Sequence, residues 1–344
     1  HAVFKAVWGL WFCANLARQT ATARDRANEL VALAQHSADE ALLIEALHCR
    51  WATAFFRGDL ATSLADARAG IEHYDLERHS RLASEFGGHD PGVCANTSFA
   101  QALAQLGRPR EAAAAVERAL KLAKTLNHPN SLAFALMNAT TTYQLIGDRA
   151  SVLRLATEMT DLAARYNLPP PRAVAAFMSG WARACGADLA EGLQIMETEF
   201  ARVSTMTPVP QFYARVLASA RLAAGQPERA LELLDAILNA VTEPRVGVYL
   251  PEIYRLRGEC LLRLDPPRFD EALGEFETAI AISKQQKAHV FQLSAAMSLA
   301  HAFATVDMPG KGTAPLNDAV VAFSDNDDNP ELAIARQFLA AHAH

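Results

Sequence analysis

The sequence predicts an all-α fold in which helical hairpins follow one another along the chain as a solenoid. Four similar turn phrases recur at intervals of 40, 39 and 39 residues, namely GRPREA at Gly107, GDRASV at Gly147, GADLAE at Gly186 and GQPERA at Gly225. Apolar residues at helical spacing flank each turn, and no stretch supports a strand. Self-similarity at a fixed period of about 20–50 residues is typical of stacked repeats.

Each turn phrase combines a helix stop with a helix start. Glycine ends a helix in the left-handed conformation at little cost. Pro109, Pro227 and Pro267 stand where the first turn of a new helix needs no N–H donor. The next helix carries an apolar stripe, as between Ala112 and Ala123. Each unit is therefore predicted to be a pair of helices joined by a short connection.

The period places the first helices of successive hairpins near residues 2, 40, 91, 130, 170, 209 and 247, with a degenerate eighth near 287. A final helix over Pro330–Ala341 is expected to cap the array, since Asn329 can accept hydrogen bonds from its first turn. We therefore expect seven or eight hairpins in one domain, 1–344, with degenerate repeats in 1–86, the clearest in 87–286, and a degenerate repeat with the cap in 287–344.

This pattern resembles the tetratricopeptide repeat (TPR), which has a small residue at position 8 of its first helix, a turn glycine and an Ala–large–Ala set in its second helix. The unit containing Ala272, Phe276 and Ala279 matches best. The unit at Gly186 matches least, because its helix is shifted by one residue. Position 8 is filled by Ala100, Ala218 and Gly258, and in weaker copies by Thr140 and Ser179. The resemblance implies a right-handed superhelix whose first helices line a concave face.

Composition and charge argue against several classes of protein. The net charge of −6 does not suit a basic surface for nucleic acid, and no apolar run reaches the roughly 18 residues that span a bilayer. The most apolar stretch, residues 1–19, is interrupted by Lys5, Asn15 and Arg18, so we predict a buried helix rather than a leader peptide. Because the chain begins with His1 and not with Met, we expect native sequence upstream.

The five cysteines are scattered through apolar helical stretches and include no CxxC pair, so zinc-binding and redox motifs are absent. We expect reduced, buried thiols in a cytoplasmic protein. The five are Cys13, Cys49, Cys94, Cys185 and Cys260.

The phrase GGHDPG, Gly87–Gly92, could be a metal site, because His89 and Asp90 lie near Glu85 and His79 in the sequence. These four residues lack the helical or paired spacing of short metal-binding peptides. Asp90 is predicted instead to cap a helix that starts at Pro91, with His89 in the turn before it.

Two other phrases imitate binding loops. GKGT, Gly310–Thr313, lacks the earlier glycine and the preceding strand of a phosphate loop and is predicted to be a turn between helices. DNDDN, Asp325–Asn329, lacks the glycine and the final glutamate of a calcium loop. Since no GxSxG, HExxH or SxxK pattern occurs, we expect no catalytic residues, metal ligands or cofactors here, and no enzyme activity in this chain.

The concave face is the expected binding surface of such an array. Its residues are polar and of both charge signs, without the dense Lys/Arg ladder that grips a peptide carboxylate. This mixture favours a solvated inner face, and after that a protein or peptide partner, or another domain of the parent chain. The candidate positions are Glu45, His48, Thr97, Gln101, Thr141, Gln144, Arg183, Arg215, Glu252, Arg255, Glu259 and His301.

Longer phrases carry a second resemblance, which covers the chain from about Leu60 onwards. GGHDPGVCANTSFAQALAQLGRPREAA, HPNSLAFALMNATTTYQLIGD, EIYRLRGECLL and NPELAIARQFL occur in that order. They resemble the C-terminal TPR region of multidomain bacterial class III adenylate/guanylate cyclases that also carry a P-loop ATPase module. The resemblance implies a non-catalytic regulatory or partner-sensing role beside a cyclase.

Two alternatives stay open from the sequence. One is the small-ligand-sensing array of a large ATP-dependent transcription activator of the maltose-activator type, and the other is a free-standing scaffold. For the cyclase-type module and for both alternatives, we expect neither nucleic acid nor a membrane as a partner of this chain.

Overall fold

The structure is a computed structural model that describes residues 1–37, 39–207, 209–241, 246–323 and 329–342. The described residues form helices and turns, and no strand occurs among them. The helices are α1 (Ala2–Leu16), α2 (Thr20–Ser37), α3 (Glu40–Arg57), α4 (Leu60–His73), α5 (Leu76–His79), α6 (Leu82–Glu85), α7 (Pro91–Gln105), α8 (Pro109–Leu126), α9 (Pro129–Leu145), α10 (Arg149–Tyr166), α11 (Pro169–Ala184), α12 (Leu189–Met206), α13 (Pro210–Ala223), α14 (Pro227–Asn239), α15 (Leu250–Arg263), α16 (Phe269–Gln286), α17 (His289–Ala304), α18 (Gly310–Val321) and α19 (Pro330–Ala341).

The helices pair as a TPR-like solenoid of αα-hairpins, as the sequence predicts. The pairs are α1/α2, α3/α4, α7/α8, α9/α10, α11/α12, α13/α14, α15/α16 and α17/α18, with α19 packed on the last pair. Each first helix begins within three residues of its predicted start. The short helices α5 and α6 lie in the long connection that precedes Gly87.

The turn glycines take the conformation that their position requires. Gly107 and Gly225 have φ values of +80° and +70°, the left-handed region in which a side chain would be strained. Gly186 does not adopt a positive φ, which agrees with the poorer match of that unit. The prediction that GKGT is a turn between helices is wrong, because GKGT forms the first turn of α18. The chain reverses earlier, at Asp307, which has a φ of +58°.

Small residues set the distance between the helices of a hairpin. A methyl group at Gly258 would lie 2.5 Å from the Phe276 ring, so α15 and α16 can pack this closely only without a side chain there. In the unit that is shifted by one residue, Gly180 and not Ser179 makes the close contact, against the backbone at Gly192. The predicted core of the best-matching unit is confirmed, since Ala272, Phe276 and Ala279 are fully buried.

The superhelix turns far enough for distant hairpins to touch. The Val248 amide donates a hydrogen bond of 3.2 Å to the Phe56 carbonyl. Gln286 Nε2 donates one of 2.9 Å to the Gly247 carbonyl, and its amide also packs against Gly58. Helix α7 contacts α17. The inner side is therefore a narrow, partly closed space and not an open groove.

Two expectations about exposure need correction. Cys13 and Cys185 are exposed, whereas the other three cysteines are buried and all five are free thiols. Cys13 lies on the outer side of the terminal helix α1, and Cys185 lies at the turn after α11, so neither is covered by a neighbouring hairpin. The predicted burial of α1 holds for one face, while its Leu10 and Leu16 are more than half exposed.

Within the described residues, no helix combines the length and the apolar character needed to cross a membrane.

Candidate binding pocket

A pocket of about 190 Å³ lies on the inner side of the superhelix. Its walls come from the first helices α1, α3, α7, α9 and α13, together with the segments before α13 and α15. No Asp, Glu, Lys or Arg is among the described residues that line it. Its aromatic walls are Trp11, Phe12, Phe55, Phe56, Phe134, Tyr213 and Tyr249.

Helix α1 closes one side of the pocket with its aromatic face. The Trp11 indole donates a hydrogen bond of 2.8 Å to Thr53 Oγ1, which fixes α1 on α3. Trp8 stacks on Phe12, with ring centroids 5.4 Å apart. Phe12 remains 38% exposed, so it forms part of the rim. The pocket therefore opens beside a helix that is packed against other helices on one face only.

A second wall of the pocket depends on the start of α7. Asp90 is fully buried and caps this helix as predicted, accepting a hydrogen bond of 2.9 Å from the Val93 amide. Its other oxygen accepts one of 2.7 Å from Tyr74 Oη, and its backbone N–H donates to Ser131 Oγ at 2.9 Å. These bonds fix the chain on both sides of Asp90, and hence the positions of His89 and Cys94.

His48, His89 and Cys94 converge in this wall. One nitrogen or sulfur atom from each lies within 4.8 Å of the corresponding atoms of the other two. The His89 ring stacks on Phe134, with centroids 3.9 Å apart and planes only 6° from parallel. Of the metal candidates around GGHDPG, His89 alone belongs to this group. His79 accepts a hydrogen bond from the Asp75 amide, and Glu85 pairs with Lys5.

The charges of this group are coupled. Burial disfavours both charged forms, but the attraction between His48 and Cys94 outweighs it. The pKa of the Cys94 thiol therefore falls below its ordinary value, and the pKa of His48 rises. Glu45 adds to the effect on His48, since its Oε2 lies 3.2 Å from His48 Nδ1. A buried thiolate next to a histidine can act as a metal ligand or as a nucleophile.

Neutral polar side chains complete the wall, and most of their hydrogen bonds are made within the protein. Gln101 Nε2 donates to Asn138 Oδ1 at 2.9 Å, and Asn138 donates to the Phe134 carbonyl at the same distance. Thr141 Oγ1 donates to the Met137 carbonyl at 3.2 Å. An apolar group can therefore enter the pocket without stripping these groups of their partners.

Five of the twelve candidate residues meet around the pocket. His48, Gln101 and Thr141 line it. Glu45 contacts His48 from behind, and Thr97 Oγ1 donates to the Cys94 carbonyl at 2.9 Å.

The remaining candidates lie elsewhere. Gln144 accepts a hydrogen bond from Arg215, whose guanidinium lies 4.8 Å from the Phe212 ring centroid. A separate polar cluster consists of Glu252, Arg255, Glu259 and Ser298, in which Arg255 donates to Glu252 at 2.6 Å and Ser298 donates to Glu259 at 2.7 Å. Arg183 and His301 are exposed, with Arg183 paired to Glu191 at 2.9 Å.

The expectation of a solvated inner face is wrong for most of these positions. Seven of the twelve are buried, because neighbouring first helices pack on one another and distant hairpins approach across the superhelix. The seven are Glu45, His48, Thr97, Gln101, Thr141, Arg215 and Glu252. Only the two outlying positions, Arg183 and His301, are exposed.

Sequence reasoning considered His89 as a metal candidate but grouped it with Asp90, Glu85 and His79 and not with His48 and Cys94. It missed Cys94 and the aromatic walls. His48 lies on α3, His89 in the turn before α7 and Cys94 in the first turn of α7, so no short spacing links His48 to the other two. The one available signal was the density of aromatic residues in α1. In the calcium-like phrase Asp325–Asn329, residues 325–328 lie outside the described residues. Its last residue, Asn329, caps α19 as predicted, since its side chain accepts a hydrogen bond of 2.9 Å from the Glu331 amide.

Comparisons with known proteins support the fold and leave the function open. No protein-family model matches the sequence. An uncharacterized protein of Rhizobium meliloti (strain 1021) is 25% identical over 287 residues, which is 83% of this chain but only 28% of that protein. The chain thus spans little more than a quarter of its relative's length.

Two solved structures share the architecture. The APC/C hetero-tetramer Cut9–Hcn1 aligns over 94% of this chain and 53% of that one, with a TM-score of 0.58 and 15% identity. NprR in complex with its cognate peptide NprX aligns over 98% of this chain and 97% of the NprR chain, with a TM-score of 0.52 and 11% identity. At such identities the likeness concerns the fold.

Proposed function

We propose that this chain is a non-catalytic binding module and that its pocket receives an apolar side chain from a peptide or protein partner. The observation that carries this proposal is the pocket on the inner side of the superhelix, which is lined mainly by aromatic and apolar side chains and by no Asp, Glu, Lys or Arg among the described residues. An anchor side chain that fills such a pocket supplies most of the affinity of many protein interfaces. The partially closed inner side would admit an extended segment more readily than a folded domain.

The size of the pocket favours a side chain over a whole small molecule. Pockets that bury a drug-sized ligand measure about 300–1,000 Å³. This pocket measures about 190 Å³, which suits one large apolar side chain. The proposal also agrees with the neighbouring fold of NprR, whose structure contains a peptide. That agreement is support by analogy of fold.

We further propose that the module belongs to a larger cytoplasmic signalling protein of the nucleotide-cyclase type. The phrases from GGHDPG to NPELAIARQFL support this parent. The Rhizobium meliloti relative is much longer than the matched region, which is consistent with further domains in such proteins. In this arrangement, the segment that binds would be a regulatory partner or a part of the parent chain, and binding would adjust a catalytic domain elsewhere.

A small-ligand sensor of the maltose-activator type is the second candidate. The observation in its favour is that the neutral polar side chains Gln101, Asn138 and Thr141 of the wall already make hydrogen bonds within the protein. Such a wall suits a neutral, largely apolar compound. The limited volume weighs against it, since a compound larger than the pocket would need to project into the inner space.

A selection experiment separates the two candidates. A random peptide library displayed on phage is panned against the wild-type chain, and the enriched peptides are then tested against Ser98→Phe, which places a ring into the pocket from its α7 wall. We expect enriched peptides to share a large apolar residue. The matched control is Leu153→Phe, because Leu153 is 46% exposed on α10, a second helix outside the pocket.

The small-ligand candidate is tested in parallel with a metabolite library and thermal shift. A compound that raises the melting temperature of the wild type but not of Ser98→Phe, without any enriched peptide, would overturn the peptide proposal in favour of the sensor. Peptides that bind Ser98→Phe as tightly as the wild type would place the partner outside the pocket.

A further inference from the structure

We propose that His48, His89 and Cys94 bind one divalent transition-metal ion of the zinc class in the wall of the pocket. They come from α3, from the turn before α7 and from α7 itself, and they meet with donor atoms no more than 4.8 Å apart. In a tetrahedral zinc site with Zn–N of about 2.1 Å and Zn–S of about 2.3 Å, donor atoms lie roughly 3.3–3.8 Å apart. The donor atoms therefore need to approach by about 1.5 Å at most.

Both histidines are already oriented by oxygen atoms. His48 Nδ1 lies 3.2 Å from Glu45 Oε2, and His89 Nδ1 lies 3.2 Å from the Gly87 carbonyl oxygen. Metal-binding histidines usually donate their other N–H to a carboxylate or a backbone carbonyl in this way. A proton on Nδ1 leaves the Nε2 lone pair of each ring available to a metal.

One of these nitrogens has no other use in the protein. His89 Nε2 is buried and makes no hydrogen bond with any of the described residues. A buried polar atom without a partner costs free energy, and stacking on Phe134 prevents the ring from turning freely toward solvent. A metal ion between His89 and Cys94 would satisfy this atom.

The third ligand is equally constrained. Cys94 is 3% exposed, and its Sγ accepts a hydrogen bond of 3.5 Å from the Trp51 indole. Two imidazoles and one thiolate select zinc-like metals over magnesium or calcium, which prefer oxygen ligands. All three residues border the pocket, so the fourth tetrahedral position would face it and be open to water or to a donor atom of a bound partner.

The metal site does not depend on the identity of the partner, because the metal alone can be titrated into the chain. The purified chain is stripped with a chelator, titrated with Co²⁺ and followed by absorption, and then competed with Zn²⁺. We expect one Co²⁺ per chain, a thiolate-to-cobalt charge-transfer band and displacement by Zn²⁺. This charge-transfer band arises only when a thiolate sulfur is bound to cobalt, so a cysteine with a purely structural role would not produce it.

Variants test each ligand. Cys94→Ser should abolish the charge-transfer band, and His89→Gln should weaken Co²⁺ binding at least tenfold. Glu45→Gln alters the group that orients His48 and that also accepts a hydrogen bond of 3.3 Å from Trp8 Nε1, and it should weaken Co²⁺ binding by about 10–100-fold. Cys260→Ser is the matched control, because Cys260 is also a buried thiol but lies on α15. It should bind like the wild type.

Folding of each variant is checked by circular dichroism and thermal melting. If Cys94→Ser does not fold, His89→Gln decides the question, since the side chain that it replaces has a nitrogen with no partner among the described residues. Absence of stoichiometric Co²⁺ binding by the wild type would overturn the proposal. Unchanged binding by folded His89→Gln would overturn it as well.

Discussion

The backbone amide of Val248 donates a hydrogen bond of 3.2 Å to the carbonyl of Phe56, across an interval of more than half the chain. The Phe56 side chain lines the pocket, and Tyr249, the residue after Val248, lines another part of it. The contact that narrows the superhelix is thus also a contact that builds the pocket. Predictions about stability and about binding are consequently linked.

The first prediction concerns this closure. Gly58→Ala should destabilise the fold more than Gly225→Ala, although both glycines have similar positive φ values of +82° and +70°. Each substitution costs about 1–2 kcal/mol of backbone strain, but only a methyl group at Gly58 meets a side chain, the amide of Gln286. Denaturant unfolding of both variants measures the difference. Equal losses would mean that the Gly58–Gln286 contact does not stabilise the closed form.

The second prediction concerns the close approach of α15 and α16. Gly258→Val should destabilise the chain by about 1–3 kcal/mol, since its side chain would collide with the buried Phe276 ring. Gly274→Ala in the same hairpin has open space around it and an exposed helical position, so it should stabilise by roughly 0.5–1 kcal/mol. Thermal melts of the two variants should shift in opposite directions. An unchanged melting temperature of Gly258→Val would refute the proposed packing of this hairpin.

The third prediction concerns the buried carboxyl that starts α7. Burial raises the pKa of Asp90, while the hydrogen bonds from Tyr74 and from the helix start act against that rise. A carboxyl with a raised folded pKa stabilises the fold at pH values below its unfolded pKa and loses that contribution as the pH rises through its folded pKa. The hydrogen bond from Tyr74 lowers the pKa of Asp90 and therefore stabilises the ionised form of this carboxyl.

Tyr74→Phe should consequently cost about 1–3 kcal/mol at neutral pH. The loss should shrink as the pH falls through the raised pKa of Asp90, because the protonated carboxyl needs the donor less. Urea unfolding at several pH values measures this, with Tyr166→Phe, at a 45% exposed tyrosine, as the control. A loss that is independent of pH would indicate that Tyr74 contributes through packing alone.

Local signals in the sequence predicted the hairpins well. Asp90 followed by Pro91, and Gly107 followed by Pro109, each determine the end or the start of a helix within a few residues. Ala272 and Phe276 indicated which helix face would be buried. Such signals depend only on neighbouring residues, so a single sequence displays them fully.

The pocket could not be predicted in the same way. The contact between Phe56 and Val248 depends on the small rotations between successive hairpins, which accumulate along the array and leave no motif at either residue. His48 and Cys94 meet because α3 and α7, the first helices of neighbouring hairpins, pack together although α4, α5 and α6 separate them in the sequence. The sequence therefore predicted a binding face in general terms but placed Arg183 and His301 on it, which lie far from the pocket residues along the array.

The central claim is that an apolar side chain of a peptide partner occupies the pocket. The most direct test is calorimetric titration of a selected peptide into the wild type, Ser98→Phe and Leu153→Phe, each shown to be folded by thermal melting. We predict that Ser98→Phe weakens binding at least tenfold, which corresponds to about 1.4 kcal/mol, whereas Leu153→Phe binds like the wild type. Equal affinity of all three chains for the peptide would contradict the claim.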